Sequence, residues 1–283
     1  MTQGAYFRPR TLPEALRALE ASGGQILAGG TDFYPALGER RVTRPVVDIT
    51  AIPEIRGIET VREAIHIGGG TTWTEILNTP LPRCFDCLKQ AAREVGSIQI
   101  QNRGTIAGNL CNASPAADGI PPLLALDAEV ELQSAAGARR MPLEEFVLGN
   151  RKTARQPSEI LTRVTIPRGI EDARSAFLKL GARRYLVISI SMAAAIVGVG
   201  GDGQVNAARI AVGSCSVRAQ RMRELEQALL GEPAGPGLGN ATTAARLMAL
   251  SPIDDVRATG AYRRDATVTL VRRAIEACVA GER

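Results

Sequence analysis

Hydrophobic positions in the first hundred residues switch between helical and strand spacing. Thr11, with Glu14 three positions later and Leu12, Ala15, Leu16 and Leu19 on one face, predicts a capping box and an amphipathic helix over 11–22. Gly23 and Gly24 end it. The apolar run 25–28 predicts a strand leading into Gly29-Gly-Thr-Asp32, and Val46 to Ile49 predicts another. Ile65 and Ile67 before Gly68-Gly-Gly70 read as a strand and turn, 71–75 as a helix start, and 87–95 as a helix stopped by Gly96. Residues 104–119 carry small side chains with little periodicity and read as a long loop. β-Branched content and alternation predict strands at 128–133 and 160–166.

Past Pro167 the character changes. Residues 176–180 form a strand signal, and the apolar runs 188–199 and 205–213 are joined by Gly200-Gly-Asp-Gly203, a hairpin signal. Residues 218–231, 239–249 and 262–280 are helical, with a Gly/Pro-rich loop at 231–238. The pattern predicts an α+β chain with a boundary near 168–175 and no internal repeat.

With 283 residues there is room for one large or two smaller domains. Hydrophobic residues make up 45% but aromatics only 4%, so the core must be mainly Ala, Val, Leu and Ile. The net charge of +5 comes from scattered arginines rather than a basic stripe with interleaved aromatics, which speaks against nucleic acid. The charge suits an anionic cofactor or an acidic partner. Five cysteines, an odd number in a chain this long, argue against a disulfide framework. No apolar run reaches bilayer length, and the first ten residues lack the apolar core of a signal peptide. A cytoplasmic protein without a transmembrane segment is expected.

Two segments could carry chemistry. In 26–33 a strand runs into two glycines, whose N–H groups can face phosphate oxygens without Cβ obstruction, and Thr31 adds a hydroxyl. A tight turn is the simpler account of the same residues. The stretch 104–118 is long for a loop, and a bound extended anion would give it a reason to be ordered. Asn and Ser side chains bonding their own backbone would do so equally. Gly198-Val-Gly-Gly-Asp-Gly203 is not a dinucleotide fingerprint, because a strand rather than a helix follows it. Cys84 and Cys87 have metal-ligand spacing but no second pair, so no metal site is expected. His66 is the only histidine, and nothing near it in the sequence suggests a nucleophile or an orienting carboxylate. No catalytic side chain stands out, and cofactor-borne chemistry fits better than hydrolysis.

Taken in order, Phe7-Arg-Pro9, Ala28-Gly-Gly-Thr-Asp32, Val47-Asp-Ile49, Ile67-Gly-Gly-Gly-Thr-Thr72, Gln101-Asn-Arg-Gly-Thr105, Ala113-Ser-Pro-Ala-Ala-Asp118, Asp127-Ala128, Glu145-Phe146, Glu159-Ile-Leu161 and Ala176-Phe-Leu-Lys179 resemble the flavoprotein subunit of molybdenum hydroxylases over nearly the whole chain. The resemblance implies a vanillyl-alcohol-oxidase-type FAD-binding domain over 1–172, with subdomains of about 1–58 and 59–172. A small C-terminal domain over 173–283, a three-stranded antiparallel sheet with helices, would follow. It implies that Leu27, Ala28, Gly29, Gly30, Thr31, Asp32 and Phe33 form one pyrophosphate loop and that Thr105, Gly108, Asn109 and Ser114 belong to the other. Asp118 would hydrogen-bond the cofactor, Leu161 and Lys179 would contact FAD, and 183–188 would lie beside the isoalloxazine. Ala107 departs from the family's usual Thr-Ile-Gly-Gly-Asn, and the chain lacks the four-cysteine loop of the benzoyl-CoA-reductase branch.

The function the resemblance implies is electron transfer. A large molybdopterin-binding subunit hydroxylates a substrate, a small [2Fe–2S] subunit carries electrons to FAD here, and NAD, a quinone or O₂ receives them. The expected assembly is a dimer of heterotrimers, free in the cytoplasm or held at the inner membrane face through the complex. Two other readings compete. A stand-alone FAD-dependent reductase of the same superfold would want substrate-binding and proton-donating side chains in the C-terminal part. A cofactor-less assembly subunit is opposed by Thr31, Asp32, Asn109, Asp118 and Lys179. The substrate and the acceptor are not written in this chain.

Overall fold

The computed structural model describes residues 4–280. Residues 1–3 and 281–283, which include the outer ends of the expected domains and the start of the N-terminal stretch, lie outside them.

The chain opens with β1 (Tyr6–Phe7) and α1 (Leu12–Ser22). Thr11 Oγ1 accepts the Glu14 N–H at 3.4 Å, but the Glu14 carboxylate reaches past Thr11 to the Arg10 N–H at 3.0 Å. The expected capping box is therefore half formed. Gly23 closes the helix in the left-handed region, at φ +56°. β2 (Gln25–Leu27), α2 (Phe33–Leu37) and β3 (Val46–Asp48) follow, and β1 and β2 flank β3 in parallel. Ala15, Leu16 and Leu19 of α1 pack on Val47, Ile49, Ile52 and Ile55.

Next come β4 (Ile58–Thr60) and β5 (Ala64–Gly68), then helices α3 (Trp73–Asn78), α4 (Asp86–Glu94), α5 (Ile98–Gln101), α6 (Ile106–Asn112) and α7 (Ile120–Ala125). β6 (Glu129–Ser134), β7 (Gly137–Pro142), α8 (Leu143–Phe146), the small hairpin β8 (Val147–Gly149) and β9 (Lys152–Thr153), and β10 (Ile160–Pro167) complete this part. The strands form a five-stranded antiparallel sheet in the order β4-β5-β10-β6-β7. The expected loop at 104–119 is instead one short helix, α6, followed by turns that lead into α7. Thr105 caps α6 by accepting the Gly108 N–H, and Ala113, at φ +46°, ends it. Ile106, Ala107 and Leu110 mark its buried face, too few positions for a helical period to be visible.

β11 (Arg174–Leu180), β12 (Ser191–Val199) and β13 (Val205–Gly213) are the three antiparallel strands expected, and a two-residue β14 (Gln220–Arg221) adds a fourth. Gly200 to Gly203 turns the β12–β13 hairpin. Met192, Ala194 and Ile196 face the large N-terminal core, while Ala193, Ala195 and Val197 face α10 (Gly260–Val279). Burial on both faces explains why this stretch reads as one apolar run rather than an alternation. The helical signal at 218–231 shrinks to α9 (Arg223–Leu229), and that at 239–249 becomes two 3₁₀ turns, Leu238–Ala241 and Ala245–Leu247. Side chains of α10 take backbone groups of the first of these turns and its flanks. Arg272 donates to the Thr242 carbonyl at 2.9 and 3.0 Å, and Glu276 accepts from Gly237 and Gly239. α-Helical bonds are thus replaced by tertiary ones.

Candidate functional site

β2 ends at Leu27, and the chain turns through Ala28 to Asp32 before α2 begins. The turn depends on its glycines. A Cβ on Gly29 would overlap the Arg103 carbonyl oxygen, and Gly30 sits at φ +76° under the Tyr34 ring. Among the described residues, the backbone N–H groups of Gly29, Gly30, Thr31 and Asp32 have no acceptor. Four consecutive unpaired donors beside a cavity form a nest for an anion.

That cavity has a volume of about 730 Å³, in the range of small-molecule sites of about 300–1,000 Å³. Ala28, Gly29, Gly30, Thr31, Asp32 and Phe33 line one side, and Thr105, Gly108, Asn109 and Leu161 line others. Ten of the fourteen expected site residues therefore meet here. Leu27 does not, because it is buried at the end of β2 with its carbonyl bonded to the Ile49 N–H at 2.9 Å. Ser114 is also away from the wall, its hydroxyl accepting the Ala116 N–H at 3.3 Å in the turn after α6. Asp118 and Lys179 are away from it as well. The sequence reading missed Trp73, Ile100, Asn112, Arg44 and Arg155, which also line the cavity. The single tryptophan, directly after Gly68-Gly-Gly-Thr-Thr72, was the one available signal for these.

α6 meets the cavity differently from the nest. Its first amides are all used: Ile106 donates to the Thr71 carbonyl (3.0 Å), Ala107 to Gly69 (3.1 Å), Gly108 to Thr105 Oγ1 (3.0 Å) and Asn109 to the Thr105 carbonyl (3.0 Å). What α6 offers is a wall of small residues and Asn109 Oδ1, a buried acceptor without a hydrogen-bond partner. An acceptor left bare in this way costs free energy unless a ligand donates to it. Arg44 and Arg155 add positive charge, against which Asp32 is largely exposed and only loosely paired with Arg151, at 3.9 Å. Burial pushes the Cys111 thiol on this wall up to about 11, so it stays protonated. Free amides, guanidinium groups, an orphan acceptor and apolar Ile160 and Leu161 fit an elongated, doubly anionic molecule with hydroxyls.

A second cavity, of about 780 Å³, lies between α4, β11 and the loop after it, and is lined by Arg93, Glu94, Lys179, Arg183, Arg184 and Val187. At the end of α4, Val95 lines the first cavity and its neighbour Glu94 the second. Lys179 Nζ donates to Asp118 Oδ2 at 2.6 Å and to the Glu94 carbonyl at 3.3 Å. Ser189 Oγ donates to Asp118 Oδ1 at 2.7 Å. Burial pushes the Asp118 carboxyl up, with the Lys179 ammonium and the Ser189 hydroxyl acting against it.

Known proteins are similar to this chain in sequence and fold. The sequence matches the family described as the FAD binding domain in molybdopterin dehydrogenase over residues 2–169, and the CO dehydrogenase flavoprotein C-terminal domain over 176–278. It is 36% identical to the nicotinate dehydrogenase FAD-subunit of Eubacterium barkeri over 236 residues, covering 81% of this chain and 80% of that one. It is 32% identical to the 6-hydroxypseudooxynicotine dehydrogenase complex subunit alpha of Paenarthrobacter nicotinovorans over 276 residues, 95% and 92% of the two chains. The fold is similar to carbon monoxide dehydrogenase from Hydrogenophaga pseudoflava, with a TM-score of 0.88 at 27% identity over 98% of this chain and 97% of that one. The α+β architecture and the order of its segments are those the resemblance implied, and the chain belongs to the family of FAD-binding flavoprotein subunits of molybdopterin dehydrogenases, as an oxidoreductase component.

Proposed function

We propose that this chain holds FAD extended from the first cavity to the second, as the electron-carrying subunit of a molybdenum hydroxylase. The observation that carries the reading is the run of unpaired N–H groups from Gly29 to Asp32 facing a cavity of about 730 Å³. These donors bind the pyrophosphate, with Ala28 and Phe33 shaping the same turn and Thr31 adding a hydroxyl. Thr105, Gly108 and Asn109 form the opposite wall, Leu161 packs on the cofactor, and Lys179 meets its flavin end. Leu27 and Ser114 support the site from behind, and Asp118 acts through Lys179. Bound FAD supplies the redox chemistry by which electrons from [2Fe–2S] clusters of a small partner subunit reach NAD, a quinone or O₂.

The substrate would be hydroxylated at a large molybdopterin-binding partner, and the family relationship supports such a multi-subunit assembly, a dimer of heterotrimers in our reading. We place the division of the chain at 172/173, with N-terminal subdomains of about 1–58 and 59–172. Among the described residues no helix is long and apolar enough to cross a membrane. A cytoplasmic complex, free or held at the inner membrane face, is the proposed setting.

Gly29→Ala tests the site. The added Cβ meets backbone, which cannot move without strain of about 1–3 kcal/mol. Flavin affinity of the purified complex should fall at least about tenfold while the iron–sulfur absorbance persists. A Gly29→Ala complex with a full complement of flavin would sink this reading.

A further inference from the structure

Lys179 is a buried cation, its side chain 7% exposed, at the wall of the second cavity. An ammonium has three N–H donors. Two are used, on Asp118 Oδ2 and the Glu94 carbonyl, and the third has no acceptor among the described residues. Asp118 is as buried as its partner, and both its oxygens are engaged, Oδ2 by Lys179 and Oδ1 by Ser189. Ser189 is itself 2% exposed and stands where the loop after β11 returns to the sheet, pinned there by the Ile190 N–H on the Leu180 carbonyl at 2.7 Å.

From this chain of contacts we infer that Ser189 is a positioning residue. Through Asp118 it fixes the Lys179 ammonium so that its remaining N–H is held toward the second cavity. Without the Ser189 hydroxyl, Asp118 Oδ1 would be buried and unsatisfied, and the carboxylate would turn to share both oxygens with Lys179. The ammonium would move with it. The inference rests on the reading of Lys179 as the group that meets the flavin end. A cation held beside a flavin favours its reduced form, so the position of Lys179 sets both affinity and potential.

The test uses the purified complex with Ser189→Ala, Ser189→Thr and Lys179→Ala, and reads flavin dissociation by fluorescence and the flavin midpoint potential by redox titration. Ser189→Ala should bind flavin about tenfold more weakly, the equivalent of one lost charge-assisted hydrogen bond, and should show a lower midpoint potential. Ser189→Thr, which keeps the hydroxyl, should restore both. Where Ser189→Ala does not fold, Ser189→Cys, with a weak donor of similar size, takes its place with the same readouts. Wild-type affinity and potential in Ser189→Ala would overturn the inference, as would a Ser189→Thr protein no better than Ser189→Ala. If Lys179→Ala releases flavin while Ser189→Ala does not, the cofactor site stands and the positioning role falls. If Lys179→Ala itself keeps wild-type affinity and potential, the reading of Lys179 fails and the inference falls with it.

Discussion

At Ala107 the methyl that departs from the family's usual glycine obstructs no phosphate donor, because the Ala107 N–H is already bonded to the Gly69 carbonyl at 3.1 Å. The opposite holds at Gly29, where backbone stands in the place a methyl would take. The same dependence on neighbours governs single charges. Burial alone would raise the Asp255 carboxyl. The Arg257 N–H at 2.8 Å, the Arg263 guanidinium at 2.6 Å and the Ala258 N–H at 3.3 Å outweigh it and hold the group down at about 2, against an ordinary 3.8. A depressed carboxyl stabilises the fold above its ordinary value, and that contribution is lost as pH falls from 3.8 through about 2. Melting temperature followed across this window should drop less steeply in Asp255→Asn than in the parent. Parallel curves would show that Asp255 contributes nothing to acid stability.

Among the elements, α3 has the fullest local instructions. Thr72 Oγ1 accepts the Glu75 N–H at 3.3 Å and Glu75 Oε2 accepts the Thr72 N–H at 2.7 Å, a complete capping box. The helix places Trp73 on the cavity wall. Thr72→Ala should therefore cost about 1 kcal/mol in chemical denaturation, the usual worth of such a cap. A loss below a few tenths would mean that packing of Trp73 alone holds the helix. α1 and α3 were legible because cap, period and stop lie within a dozen residues of one another. α6 was not, since its cap is a threonine among small residues and its burial depends on β10 and the helices around it. The 3₁₀ turn at Leu238–Ala241 was misread as helix for a related reason: Arg272 and Glu276, some thirty residues away in sequence, satisfy backbone groups in it and at its ends.

Across the whole molecule, one buried arginine ties the C-terminal sheet to the N-terminal part. Arg221 of β14 donates to the Leu124 carbonyl at 3.0 Å, to Asp127, and to both oxygens of Glu226 at 2.6 and 2.9 Å, while Glu226 also accepts the Ile210 N–H at 2.8 Å. Removing one partner of such a pair strands the other, so Arg221→Met should destabilise by about 3–5 kcal/mol. Adding Glu226→Gln, which keeps an acceptor for Ile210, should recover more than half. A single variant as stable as the parent in urea would remove Arg221 from any role in joining the two parts. The sequence by itself determined the α+β class, most strands, the hairpin at 200–203, the glycine turn after β2 and the family, because each is written in short-range period, turn chemistry or motif order. The tertiary structure alone decided that ten expected residues share one cavity, that the α6 amides are spent, and that Asp118 and Lys179 bond each other in company with Ser189. The last of these are contacts between residues 61 and 71 positions apart, and no local pattern encodes where such distant groups meet.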